Sequence, residues 1–183
     1  MKETSCKVLY LLYDMQQGAV LTRRGRKYGK KRKKKCWFYI LVPLVAGAAA
    51  GMISGSGMAA YEQMAKPPLS PPGWVFPVVW TILYILMGIA VCLVAKSYDP
   101  DSQEALRAFW VQLIVNVIWP VLFFGLGLCG LAFGWLVLLW VLVFRLWKQF
   151  KSIDKRAGYL LVPYLLWLTF AGYLNLSICL MGY

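Results

Sequence analysis

The chain contains no histidine. That removes the commonest general acid–base, the usual protein ligand of zinc and haem iron, and the one side chain that titrates unaided near neutral pH. Acidic residues are scarce too, seven in 183, and none falls near the middle of an apolar run. No carboxylate pair is therefore placed for hydrolytic chemistry, and no glycine-rich phosphate loop is present. The five cysteines (Cys6, Cys36, Cys92, Cys129 and Cys179) have no metal-ligand spacing, so no metal site is expected. Nothing in their spacing indicates disulfides. Cys92, Cys129 and Cys179 lie in apolar runs and read as small core hydrophobes. A catalytic role would need a ligand that brings its own reactivity.

Base, by contrast, is plentiful. Lys and Arg number 20, the net charge is +13, and twelve of the basic residues lie in positions 1–35. In a soluble domain this excess would suggest nucleic acid. Here the run Arg23 to Lys35 abuts an apolar segment, so membrane topology and attraction to lipid explain it better, and no nucleic-acid partner is expected. Residues 1–36 read as a basic, disordered cytoplasmic tail.

Apolar residues make up 61% of the chain, above the roughly 45–50% of soluble domains. They fall into five runs, at about 37–59, 74–95, 108–128, 130–147 and 158–181. Each is close to the ~20 residues a helix needs to cross the hydrocarbon core. Backbone amides in lipid need internal partners, so the runs must be helices. The fold class is an all-α membrane protein, a bundle of five transmembrane helices formed by residues 37–183. With five spans, nineteen of the twenty Lys and Arg residues share one side and Lys66 alone lies on the other. The positive-inside bias places the N-terminus in the cytoplasm and the C-terminus outside.

Several motifs stand out within the spans. Gly47, Gly51 and Gly55 recur every four residues in the first, a small-residue face for a dimer or for packing within the chain. Gln112, Asn116 and Pro120 share a face of the third. Buried amides there either bond between helices or line a cavity, and Pro120 withholds the amide that would bond the Asn116 carbonyl. Trp80, Tyr84 and Met87 form a stripe on the second. Pro163, Trp167, Ala171 and Asn175 form another on the fifth, with Tyr164 beside it. Trp80 and Trp167 lie too deep to be interfacial anchors. Between the first two spans, Pro67, Pro68, Pro71 and Pro72 make an extended, semi-rigid cap.

Three segments carry a resemblance: KPPLSPPGWVFPVVWTILYILMGIA from Lys66, FWVQLIVNVIWPVLFF from Phe109 and LLVPYLLWLTFAGYLN from Leu160. In this order and on these helices they resemble the TspO/MBR family of tryptophan-rich sensory and translocator proteins, over roughly Phe38 to Ile178. The resemblance implies a five-helix bundle, a homodimer, and a ligand cavity under the loop between the first two helices. It implies a multi-pass protein of the bacterial cytoplasmic membrane. It also implies a porphyrin such as protoporphyrin IX as ligand, with no required cofactor, and a role in porphyrin sensing, handling or transport. Carried over by motif, the ligand-binding residues are Trp80, Tyr84, Asn116, Tyr164, Trp167, Ala171 and Asn175. The cap is Lys66, Pro67, Pro71 and Pro72. An alternative is light-dependent porphyrin degradation, in which the resemblance implicates Trp80 and Trp167 and the porphyrin itself generates the reactive species; another is a structural or partner-binding membrane protein. Two departures matter. Leu69 stands where the family pattern often has Trp. No Lys or Arg follows Arg156, which removes support for sterol recognition through the last helix.

Overall fold

A computed structural model describes residues 36–54, Tyr61 and residues 67–181, which lie in one compact unit, Lys34–Tyr183. The basic stretch 1–35, Gly55 and Lys66 lie outside the described residues.

The described spans are helices, with successive ones antiparallel. Helix α1 is Cys36–Ile53, α2 is Val75–Lys96, and α3 is Ser102–Pro120. A π-helical turn, Val121–Gly125, extends α3, followed by α4, Cys129–Ile153, and α5, Lys155–Leu180. Counting α3 with its extension, all five are long and apolar enough to cross a membrane. Helix α2 is central and touches the other four, whereas α1 packs on α2 and along α3.

The breaks follow from local chemistry. Pro120 has no amide to donate, and the backbone widens directly after it, with the Leu126 amide bonding Val121 O at 2.9 Å. Gly127 takes a positive φ of 64°, which glycine adopts without steric cost, and α4 starts two residues later. A single residue, Asp154, separates α4 from α5. Its amide closes α4 on Phe150 O (2.8 Å), and its carboxylate accepts from the Arg156 amide to cap α5.

Three helices run past the apolar runs: α3 begins at Ser102 rather than 108, α4 ends at Ile153 rather than 147, and α5 begins at Lys155 rather than 158. Hydropathy marks the thickness of the membrane, and charged residues such as Glu104, Lys148 and Lys151 continue a helix into water without breaking it. All described charged side chains lie at the end of the bundle where α1 and α3 begin.

The reading of the cysteines needs correction. Cys36 is disulfide-bonded to Cys92, and Cys129 to Cys179. The partners are 56 and 50 residues apart, and each bond joins the start of one helix to the far end of its antiparallel neighbour. Such a pair comes together only when the helices do, so spacing along the chain gives no sign of it.

Candidate functional site

A cavity of about 860 Å³ lies between α1, α2 and α3. Helix α1 makes room for it with small residues: Gly47, Ala48, Ala50 and Gly51 lie on its wall. A Cβ on Gly47 would come within 2.0 Å of the Tyr84 ring, so the glycine sets how close the ring can lie. Further down, α1 crosses α2 at Gly88, where a Cβ would meet Ile40 Cα at 2.6 Å and Tyr39 O at 2.7 Å. Opposite α1, the wall is aromatic. Trp80 lies 5.6 Å from Tyr84 and 6.5 Å from Trp119, ring centre to ring centre, and Phe76 packs on Phe124 at 6.0 Å. Gly73 and Trp74, just past the prolines, complete the rim. Among the described residues no charged side chain lines the space.

Its floor is polar and fully bonded. The Tyr84 hydroxyl donates to Asn116 Oδ1 (2.7 Å), and Asn116 Nδ2 donates to the Tyr164 hydroxyl. Tyr164 in turn donates to Gln112 Oε1 (3.2 Å), whose amide nitrogen lies 3.9 Å from Met87 Sδ. Gln112 and Asn116 are buried. Such groups are costly to leave unpaired away from water, so the relay locks α2, α3 and α5 in one arrangement.

The residues singled out from sequence fall into two shells. Trp80, Tyr84 and Asn116 are on the cavity wall. Tyr164 lies behind it, bonded to Asn116 and 6.0 Å from the Trp80 ring. Trp167 is not on the wall; it packs edge-on against Phe76, which is, at 5.9 Å. Ala171 and Asn175 face a separate crevice of about 10 Å³, room for one water at most. There Asn175 accepts from Trp119 Nε1 (3.3 Å) and donates to Cys129 O (3.1 Å). In the cap, Pro68 O accepts from the Tyr173 hydroxyl (2.9 Å), and Leu69 takes a positive φ of 68°. Pro67 is buried, while Pro71 and Pro72 lead into α2, with the Val75 amide on Pro72 O.

The profile of the TspO/MBR family matches residues 39–181. The chain belongs to this family. Among TspO/MBR relatives, protein CrtK of Rhodobacter capsulatus is 40% identical over 142 residues, which cover 76% of this chain and 88% of the relative. The tryptophan-rich sensory protein of Cereibacter sphaeroides is 39% identical over 115 residues, 63% of this chain and 72% of its own. The translocator protein of Ovis aries is 36% identical over 141 residues, 75% and 83% respectively. With five spanning helices, TspO/MBR membership makes this a multi-pass integral membrane protein in contact with the lipid bilayer.

Some wall residues escaped the sequence reading. Trp119 stands three positions after Asn116 and could have been found by following that helix face. Phe76 and Ser54 on the wall, and Gly88 at the α1–α2 crossing, sit in otherwise ordinary apolar or small-residue sequence and carry no signal of their own.

Proposed function

We propose that this chain is a membrane tetrapyrrole-binding protein acting in porphyrin sensing, handling or transport. The single observation that carries this reading is the cavity: about 860 Å³, walled by Trp80, Phe76 and Trp119, with the polar Tyr84–Asn116 pair at its floor. A porphyrin is a broad aromatic plate with two carboxylates. Indole and phenyl rings can stack on the plate, and a few neutral donors can meet its rim. The volume lies within the ~300–1,000 Å³ typical of ligand pockets. The names of the relatives, sensory and translocator proteins, favour the sensing or transport part of this reading.

The proposal includes an orientation, a location and an assembly. The tail lies in the cytoplasm and the C-terminus outside, in a bacterial cytoplasmic membrane; the gathering of basic residues toward one end supports that direction. The chain acts as a homodimer, for which the exposed apolar side chains Trp37, Leu41 and Val45 on α1 offer a surface.

The test is a titration of the purified protein in nanodiscs with protoporphyrin IX, read by quenching of tryptophan fluorescence. Saturable binding is expected, weakened at least about tenfold by Trp80→Leu, which removes a stacking surface. Equal binding by both forms would defeat the reading. Illumination of the complex in air decides between binding and light-dependent degradation: porphyrin absorption lost no faster than from free porphyrin leaves binding alone.

A further inference from the structure

Among the described residues three side-chain hydroxyls line the cavity, and two have partners. The Tyr84 hydroxyl donates to Asn116, and the Thr81 hydroxyl donates to Pro77 O at 2.7 Å. The third, Ser54 Oγ, has none, although Ser54 is only 2% exposed and lies on the wall. Its amide is tied to Ala50 O at 3.1 Å, which holds the residue in register just past the end of α1. The hydroxyl therefore stands on the same small-residue face as Gly47 and Gly51, at the end of the cavity opposite Tyr84 and Asn116. From Leu44 to Ser54 the wall runs about 15 Å along α1. A buried hydroxyl without a partner carries a desolvation cost that a ligand acceptor would relieve. Among the described residues no charged side chain on the wall competes for that role.

We infer that Ser54 is a specificity-determining residue: its hydroxyl donates to an anionic oxygen, a carboxylate, on the edge of a flat apolar ligand whose plate lies along the aromatic wall. This rests on the tetrapyrrole reading and adds to it which end of the cavity takes the acid group.

The experiment compares two porphyrins in nanodiscs: protoporphyrin IX, which carries two carboxylates, and etioporphyrin, which carries only alkyl groups. The native chain, Ser54→Ala and Ser54→Thr are titrated with each. Ser54→Ala is expected to lose about tenfold in affinity for protoporphyrin IX, the effect of one charge-assisted hydrogen bond, and to bind etioporphyrin like the native chain. Ser54→Thr, which keeps the hydroxyl, is expected to retain the preference for the acid. The inference is overturned if Ser54→Ala binds protoporphyrin IX as tightly as the native chain, or weakens both porphyrins alike. In either case the native chain still binds porphyrin and the functional reading stands. If the native chain binds neither, that reading falls and the role of Ser54 falls with it.

Discussion

Helices α1 and α5 are both apolar spans, yet they are held in opposite ways. Only Pro43 and Ala50 of α1 are buried, against nine residues of α5. Helix α5 is fixed by hydrogen bonds from Tyr164 and Asn175 and by a long interface with α4. Helix α1 has glycine contacts and a disulfide instead. The cavity lies on the α1 side. Space for a ligand thus sits against the one helix that is held by close approach of backbones rather than by large buried side chains of its own. In membranes packing rather than hydrophobic exclusion drives helix association, so a helix with little buried surface depends on how near it can come.

The sharpest way to break this contrast is to push α1 away. Gly88→Val places atoms against the backbone of Tyr39 and Ile40, which has no flexible end to yield. Overpacking of this kind costs about 1–3 kcal/mol or more. The expected outcome is a large fall in Tm in detergent. Gly51→Ala, where a Cβ meets nothing within 4 Å, should leave Tm unchanged. Equal effects at both positions would show that α1 is not held by proximity.

Next in size is the link between Cys36 and Cys92. Disulfides contribute about 2–4 kcal/mol in soluble proteins, and less is expected where unfolding leaves helices in the membrane. Cys36→Ser should lower Tm more than any other exposed-face change on α1. The pairing itself is checked by alkylation in denaturant: Cys36, Cys92, Cys129 and Cys179 should all resist reaction before reduction and all react after it.

On the other side of the comparison, Asn116→Ala strands the Tyr84 hydroxyl and leaves the Tyr164 hydroxyl with only its bond to Gln112. Leaving buried polar groups unpaired costs about 1–3 kcal/mol, whereas interhelical bonds in membranes average less, about 0.6 kcal/mol. A fall in Tm of intermediate size is expected. In a double-mutant cycle with Tyr164→Phe the two losses should be less than additive, because both cut the same relay.

How much of this was legible beforehand divides along the same line. The spans were legible because hydropathy is a property of single residues summed over a window. Asn116, Tyr84 and Trp80 were legible because a polar or aromatic residue in an apolar helix needs a reason to be there. Ser54 and Gly88 were not, since their roles arise from what another helix brings opposite them. The disulfides were hidden likewise. Trp167 and Ala171 share the helical stripe that drew attention to them, but a stripe tells which residues face inward and not which of two shells they enter; Phe76 and Trp119 stand in the inner one.

The smallest effect concerns how α5 begins. The Asp154 carboxylate caps the helix and pairs with Arg156, Nη2 to Oδ2 at 3.1 Å. The Arg156 side-chain hydrogen bond, foremost among the causes, holds the Asp154 carboxyl below its ordinary range. A group whose folded pKa is depressed contributes stability above its unfolded pKa, and that contribution disappears as pH falls through the folded value. The ordinary Asp value is about 3.9, so Tm should be flat from neutral pH down to roughly 4 and decline only below it on this account. Because the pair is exposed to solvent, the charge contributes little and the cap most of the effect. Asp154→Ala should therefore cost about 0.5–2 kcal/mol at pH 7. Asp154→Asn, which still offers a capping oxygen but no charge, should keep most of that stability and flatten the acid limb. If Asn proves as damaging as Ala, the ion pair rather than the cap starts α5, and the helix held by hydrogen bonds would owe its first turn to charge.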